Sequence, residues 1–520
     1  MSSQTRPAAC DDAACTAPRP GALFGAVSQE MQRRVCWIAA LAPVLAGLLL
    51  ALPGGLAFPI DDAYITLHNA DVLLSGADRN FAGASALHGA TSPLHLALVT
   101  GTAWLLPPPL ASLLVCLLGA ALYGFGLARL AFALGGSVRL AVLATGLGIL
   151  ACATPFHLLN GLETSLAMAA ITWSLLLAQR PPEPWRLPLL CGLMPFLRPE
   201  LALLSFLLLA RHGWLGGRVD GARGIALWLL RDGALALLAA APCLLWNLAS
   251  MGQLLPATVS AKAYYFAEAN LPPADRLRLL LTCASLISLP VWLGFLLPRR
   301  DSLVICLQLF LLGFLAAYFM KLPIALSQNA LRYLHVLWPL SLFLLMAASS
   351  RYAAARFMLR GSALLLLLSL PPVLATYWHG KTFAREEFDA AARWAGANLP
   401  ATSRVLVHDA GYVSLVTQLQ LVDLVGLKTP SSVGVHRRLT YPSNGKLRGQ
   451  AISSIAYCSG STHAIIQQDD LRVWAAIGDL LIEQGWALET LRPAPRAEGY
   501  AVYALRPPRQ RPGPCNSTDS

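Results

Sequence analysis

Charge is scarce in this chain. Only 13% of its 520 residues are Asp, Glu, Lys or Arg, about half the ~25% of an ordinary soluble domain. Hydrophobic residues make up 56% and the mean hydropathy is +0.56. A water-soluble globule cannot hide that much apolar surface, and a disordered chain would need the opposite balance. Other absences narrow the chemistry. No P-loop and no strand-linked Gly-x-Gly-x-x-Gly occurs, so there is no sequence cradle for a nucleotide phosphate. There are 11 Cys, but no Cys-x-x-Cys pair and no Cys/His zinc spacing. No internal repeat supports the paired halves of many transporters. No secretory signal precedes the first apolar run, which starts late and runs long. What remains is a polytopic α-helical membrane protein.

The net charge of +12 would suggest nucleic acid in a soluble protein. Here the basic residues lie between apolar stretches, where they set topology and meet lipid headgroups, so no nucleic-acid partner is expected. Residues 1–34 read as a disordered cytoplasmic tail. The first span is Val35–Phe58, preceded by Arg33 and Arg34. Further apolar segments lie near 91–106, 109–131, 139–154, 164–179, 187–210, 224–248, 277–297, 302–319, 333–348 and 357–376. The reading is about 11 membrane segments, since a span needs about 20 residues. The basic stretches Arg211–Arg223, Pro298-Arg299-Arg300 and Arg351–Arg360 face the cytoplasm together. Loops 58–90, 249–276 and 320–332 then face outward. The short stretch 91–106 is better read as lying on the membrane surface, within a first outer loop 58–108. Arg198-Pro199-Glu200 then sits at the tip of a hairpin formed by 187–210.

Most cysteines (Cys36, Cys116, Cys152, Cys191, Cys243, Cys283, Cys306) sit in or beside apolar runs, as small hydrophobes do. Cys458 and Cys515 lie beyond them and could pair. Residues 35–377 form the membrane module. The texture changes at 378, where charge rises and long apolar runs stop. Ala384–Ala397 reads as an amphipathic helix. Arg404–His408, Leu419–Val425, His463–Gln467, Ala487–Leu491 and Tyr500–Leu505 read as strands, with helices at Tyr412–Thr417 and Leu471–Gln484. This predicts an outer α/β domain over 378–506 and a disordered tail over 507–520.

A few charged residues need a reason. Asp61-Asp62 follows the first span directly, in Phe58-Pro59-Ile60-Asp61-Asp62-Ala63-Tyr64-Ile65-Thr66. Asp61 could simply cap a helix. The pair could equally supply a general base and a carboxylate that orients it or holds a divalent cation. Glu163 precedes another span, where an acid also suits a helix N-terminus. Arg198 and Glu200 lie in an apolar stretch, where an ionisable residue marks function or a satisfied structural pair. Lys262 and Arg332 are basic residues on outer loops, against the positive-inside bias, and so are candidates for binding an anion. Acids and cations gathered at one membrane face suit a reaction in which a base activates a hydroxyl and a phosphate departs.

In their order, these stretches resemble the GT-C class of polyprenyl-phosphate-dependent glycosyltransferases. They are Asp61-Asp62-Ala63-Tyr64-Ile65-Thr66, Thr91-Ser92-Pro93-Leu94, Gly161-Leu162-Glu163-Thr164, Leu197-Arg198-Pro199-Glu200, Pro256-Ala257-Thr258 with Lys262, and Leu331-Arg332-Tyr333-Leu334. The likeness is nearest to the terminal arabinofuranosyltransferases of the actinobacterial envelope and their proteobacterial relatives. His408-Asp409-Ala410-Gly411-Tyr412 and Val422–Leu427 are similar to the soluble domain of that family. The resemblance implies a GT-C fold in a bacterial inner membrane, with the C-terminal domain in the periplasm. It implies inverting transfer of a sugar from a polyprenyl-phosphate donor to an envelope glycan or lipid. Asp61, Asp62 and Glu163 would be catalytic. Tyr64, His88, Arg198, Lys262, Tyr264, Arg332 and Tyr333 would bind donor phosphate or substrate; no cofactor is certain, and a divalent cation at Asp61 and Asp62 stays open. The chain departs from the pattern at His88, Ala90, His95 and Lys428-Thr429. Rival readings are a lipid-linked sugar transporter or flippase, an inactive envelope-assembly protein, or another lipid-linked enzyme such as an oligosaccharide ligase.

Overall fold

The computed structural model describes residues 27–151, 153–180, 183–254, 256, 258–267, 271–283, 301–349, 352–469 and 474–510. The expected span 277–297 beyond residue 283, the basic stretch Pro298-Arg299-Arg300, Cys152 and Cys515 lie outside them. Among the described residues, five helical stretches are long and apolar enough to cross a membrane: Gln29–Ala51, Pro108–Ala133, Leu201–Met251, Ser302–Lys321 and Arg332–Ser349.

Helix α1 (Gln29–Ala51) starts at Gln29, inside the stretch read as a disordered tail. Two local interactions explain the earlier start. The Ser28 hydroxyl accepts the Met31 N–H at 3.2 Å, and Glu30 pairs with Arg34 one turn on at 2.9 Å; both favour a helix start. The chain then forms α2 (Asp61–Ser75), α3 (Pro93–Ala103) and α4 (Pro108–Ala133). Gly47 of α1 lies against Leu117 of α4, and Gly124 lies against Ala39. The two helices are therefore antiparallel, and α4 begins at the end where α1 finishes. A Cβ at Gly124 would overlap the Ala39 carbonyl oxygen, so the glycine permits the close helix approach. Helix α3, with 11 residues, is only about 16 Å long, short of the about 30 Å that a span needs.

The same logic orders the next helices, α5 (Val138–Leu150), α6 (Thr154–Leu159) and α7 (Thr164–Ala178). Gly119 meets Ser165 and Gly126 meets Thr172, so α7 runs parallel to α4, and Glu163 lies at the end from which α2 projects. Helices α8 (Arg186–Leu193) and α9 (Leu201–Gly217) follow. They form a hairpin, because Arg211 donates to the Ala178 carbonyl at 2.9 Å and the His212 ring lies 3.0 Å from the Glu183 carbonyl. Its tip, Leu197–Glu200, returns to the end that holds α2. Helix α10 (Gly221–Met251) lies back along α9, with Gly217 against Gly224 and Gly213 against Leu229. Within it Arg231 stacks over Trp228 at 3.7 Å and pairs with the buried Asp232 at 2.8 Å, which accounts for a charge inside an apolar run. Helix α11 (Thr258–Phe266) follows.

The long helix Ala353–Phe383 leads through a π-helical turn, Ala384–Phe388, into Asp389–Asn398 and the C-terminal domain. Strands β1 (Arg404–Val407), β2 (Gln420–Asp423), β3 (His463–Gln467), β4 (Ala487–Arg492) and β5 (Tyr500–Arg506) form one sheet ordered β2-β1-β3-β5-β4. β1 is parallel to β2 and β3, while β5 is antiparallel to β3 and β4. Val407 lies opposite both Asp423 and Ile465, so the loops after β1 and β2 leave one edge together, the usual position for a site on parallel strands. The free β2 edge is covered by the loop between α2 and α3. Leu421 donates to the Asn80 carbonyl at 2.9 Å, and the Asn80 amide donates to the Thr417 and Leu419 carbonyls at 3.0 Å each. Covering an edge strand in this way blocks pairing with other chains. Cys458 is disulfide-bonded; Cys515, with which the sequence left a pairing open, lies outside the described residues.

Candidate active site

The first turn of α2 sends its two carboxylates in different directions. Before it, the Phe58 N–H donates to the Tyr64 hydroxyl at 2.8 Å, and that hydroxyl donates back to the Phe58 carbonyl at 3.2 Å. This clip sets the turn from α1 into α2. Asp61 faces the C-terminal domain. Its Oδ2 accepts the Gly411 N–H at 2.7 Å and its Oδ1 the Tyr412 N–H at 2.8 Å. A Cβ at Gly411 would overlap the Asp61 carbonyl oxygen, so only glycine allows the approach. Burial and the nearby Asp409 push the Asp61 carboxyl well above its ordinary range, and the two N–H groups pull it part of the way back.

Asp62 faces the membrane module. Its Oδ2 accepts from Arg332 at 3.0 Å and from Lys262 at 3.4 Å. Arg332 also donates to both oxygens of Glu163, at 2.9 and 3.2 Å. Arg198 donates to Glu163 at 3.0 Å, to Glu200 at 3.3 Å, to Thr164 at 3.4 Å and to the Arg332 carbonyl at 3.3 Å. Lys262 donates to the Tyr333 hydroxyl at 3.4 Å, and both guanidiniums lie 5.6 Å from the Tyr333 ring. Such a network is costly to desolvate and holds only because its members satisfy one another. Burial opposes ionisation of Asp62, but the Lys262 and Arg332 charges outweigh it and hold the carboxyl below its ordinary range. Burial likewise works against the Lys262 charge, and Asp62 and Tyr333 more than restore it.

Arg332 is delivered by strained backbone. Asn329, Ala330 and Leu331 all have positive φ, at 49°, 55° and 62°. Three successive non-glycine residues in the left-handed region cost about 1–3 kcal/mol each. The His157 ring, 2.9 Å from the Ala330 carbonyl, helps hold the turn. The Arg332 Nε is buried without a hydrogen-bond partner. Strain concentrated beside a charged cluster is a mark of a functional site.

A narrow cleft of about 20 Å³ opens on this network, lined by Asp62, Thr66, His95, Glu163, Lys262 and Arg332 among others. Of the residues singled out in the sequence, Asp62, Glu163, Arg198, Lys262, Arg332 and Tyr333 therefore meet at one place. Asp61 lies beside it but is bound to the C-terminal domain. Tyr64 packs edge-on against Tyr412 at 4.6 Å, and Tyr264 packs against Tyr441 at 5.2 Å. His88 lines a neighbouring cleft with Gly89 and Leu427. Among the described residues no group of three His, Cys, Asp or Glu side chains could hold a metal ion. The Asp61 oxygens accept two backbone N–H groups, and Asp62 Oδ2 accepts from two cationic side chains.

Sequence reasoning missed Gly411, whose partner Asp61 is 350 residues away, and the strained turn before Arg332. It treated Lys428 only as a departure. Lys428 is buried and donates to Asn69 at 2.6 Å while pairing with Asp78 at 3.4 Å. Asp423 fixes the loop before it by accepting the Val425 and Lys428 N–H groups at 2.9 and 2.7 Å. The lysine thus ties the C-terminal domain to α2 and the loop that follows it.

A family model described as "Domain of unknown function (DUF8728)" matches residues 376–503, the span that carries Gly411 and Lys428. No curated protein matches the chain. Among solved structures, the chain is similar to ArnT from Cupriavidus metallidurans bound to undecaprenyl phosphate, with 13% identity, a TM-score of 0.48, and coverage of 92% of this chain and 98% of that one. The apo state of the same protein gives 14% identity and a TM-score of 0.44 over the same shares.

Proposed function

We propose that the chain is a membrane glycosyltransferase of the GT-C type that moves a sugar from a polyprenyl-phosphate donor to a hydroxyl of an envelope glycan or lipid. The observation that carries this reading is the sharing of one Asp62 oxygen by Lys262 and Arg332 at the mouth of a cleft. A donor phosphate would compete with Asp62 for the two cations. The freed Asp62 Oδ2 would then take the proton of the acceptor hydroxyl, the role of a general base. The acceptor oxygen forms its bond to the anomeric carbon as the bond from that carbon to the phosphate oxygen breaks, through an oxocarbenium-like state that inverts the centre. The electron pair leaves with the phosphate, where Lys262 and Arg332 meet the growing charge. Glu163, held by Arg198 and Arg332, keeps the guanidinium in place. Asp61 is assigned to positioning, because its oxygens are taken by the Gly411 and Tyr412 N–H groups.

An envelope enzyme of this kind would work at the periplasmic face of the bacterial inner membrane, and the disulfide at Cys458 suits an oxidising compartment. The test is a structure of the protein with undecaprenyl phosphate. The expected result is a phosphate within hydrogen-bond distance of Lys262 Nζ and the Arg332 guanidinium. A phosphate bound elsewhere, with both cations still on Asp62, would sink the proposal.

A further inference from the structure

A slot of about 250 Å³ runs along the membrane module between α1 and the long helix Ala353–Phe383. Pro43, Ala46 and Leu50 stand on the α1 wall, Leu370 and Leu374 on the other, and α5 and α6 form the floor. Every residue of the lining is apolar. Pro43 and Leu50 lie about 10 Å apart along α1, so the slot is elongated. It exists because Pro43, Ala46 and Gly47 bring almost no side chain to this face. Gly47 is held at that size, since a Cβ there would sit 2.6 Å from Leu117 and 3.0 Å from Leu159. Leu45 and Leu49 of α1 and Leu368 of the long helix are exposed beside it, so both walls face lipid. A dry apolar cavity of about 150 Å³ already takes up benzene, and this slot has room for a longer hydrocarbon. Left empty, its lining would forfeit dispersion contacts.

The end of the slot nearest α2 carries positive charge. Leu50 adjoins Ala51, whose carbonyl accepts from Lys381, and the same ammonium donates to the Pro53 carbonyl at 2.8 Å. One turn beyond Lys381, Arg385 lies against the turn Gly54-Gly55. Both glycines have left-handed backbone, with φ of +72° and +89°, and a Cβ at Gly54 would sit 2.9 Å from Arg385 Nη1. Arg385 is exposed. Its neighbours Glu386 and Glu387 pair with Arg496 instead, and among the described residues no carboxylate pairs with Arg385. A guanidinium left open at the end of an apolar slot suits a phosphate that carries a hydrocarbon chain.

We infer that the slot holds one acyl chain of an anionic phospholipid, with the headgroup phosphate on Arg385. This lipid is distinct from the proposed donor. Helix α6 presents Pro155, Leu158 and Leu159 to the slot. Its Thr154 and His157 turn elsewhere, the first to the His335 ring and the second to the Ala330 carbonyl, each at 2.9 Å. The slot and the Asp62–Arg332 network therefore lie on different faces of α6. A chain in the slot backs the helix that holds the strained turn before Arg332, so the lipid is a structural partner of the site and not a substrate. Such a site does not depend on the transferase reading.

The experiment is native mass spectrometry of the full-length protein in detergent, with palmitoyl-oleoyl phosphatidylglycerol as the probe. The wild type should retain one phosphatidylglycerol. Ala46→Phe, whose ring takes the chain's place in the slot, should retain about tenfold less. Arg385→Gln changes only an exposed side chain, and should weaken retention about fivefold, one hydrogen bond's worth. Undecaprenyl phosphate should bind the wild type and Ala46→Phe alike. Wild-type retention of phosphatidylglycerol in either variant would overturn the site. So would displacement of phosphatidylglycerol from the wild type by undecaprenyl phosphate, which would give the slot to the donor. A wild type that retains phosphatidylglycerol but binds no undecaprenyl phosphate would support the lipid site and count against the transferase reading alone.

Discussion

Replacing Lys262 with Met removes one of the two cations on Asp62 while keeping much of the side chain's bulk. Lys262 Nζ lies 3.4 Å from Asp62 Oδ2, and the side chains are 19% and 25% exposed. Coulomb's law at that separation gives about 1 kcal/mol in a water-like medium and about 5 kcal/mol at the effective dielectric of a protein surface; partial exposure places the pair between the two. Two consequences follow. The departing phosphate loses a donor, which should lower kcat by about 10²- to 10³-fold, as removal of one preorganised donor does elsewhere. Asp62 also loses the first of the charges that outweigh its burial. In the wild type its carboxyl sits below the ordinary range, so it stays ionised at neutral pH and the base is lost only as the solution becomes strongly acidic. In Lys262→Met burial gains the upper hand, and the acid limb of kcat/KM must move upward. The assay is initial-rate transfer from a polyprenyl-phosphate sugar across a pH series. A change in kcat under threefold, or an acid limb that stays or moves down, would refute the reasoning.

Gly411→Ala should loosen the C-terminal domain from α2, because the new Cβ would overlap the Asp61 carbonyl oxygen and break two charge-assisted hydrogen bonds, each of about 1.5–3 kcal/mol. Amide hydrogen exchange at residues 411–416 should accelerate at least tenfold; wild-type exchange there would deny the latch. Glu163→Gln leaves two buried guanidiniums without their shared carboxylate. Breaking a buried pair of this kind costs about 3–5 kcal/mol, so thermal unfolding in nanodiscs should move several degrees lower, and an unchanged midpoint would show that the network does not hold the fold.

The sequence was legible where the physics is local. Apolar runs located α4 and the helix Ser302–Lys321 because lipid demands continuous hydrophobic length. Short apolar runs in a more polar stretch located His463–Gln467 and, to within a residue or two, the other four strands. It was less legible where local and distant terms compete. The start of α1 depended on Ser28 and on the Glu30–Arg34 pair, which a reading based on hydropathy passes over. Strand order was hidden because β5 enters the sheet between β3 and β4, which no local pattern encodes. At the site, Asp62, Glu163, Arg198, Lys262 and Arg332 stood out because each is a charge with no lipid reason to exist. Their neighbours with ordinary side chains did not. Gly411 is informative only once Asp61 is seen against it, and Asn329-Ala330-Leu331 carries no glycine to advertise its left-handed backbone.

The account stands on Asp62 acting as the base while Lys262 and Arg332 hold the phosphate, and a single-turnover comparison of wild type and Asp62→Asn tests that division most directly. With a polyprenyl-phosphate sugar prebound and acceptor membranes added, the variant should still bind donor, since both cations remain, and transfer should slow by about 10²- to 10⁴-fold. Transfer at the wild-type rate from the same bound complex would contradict it.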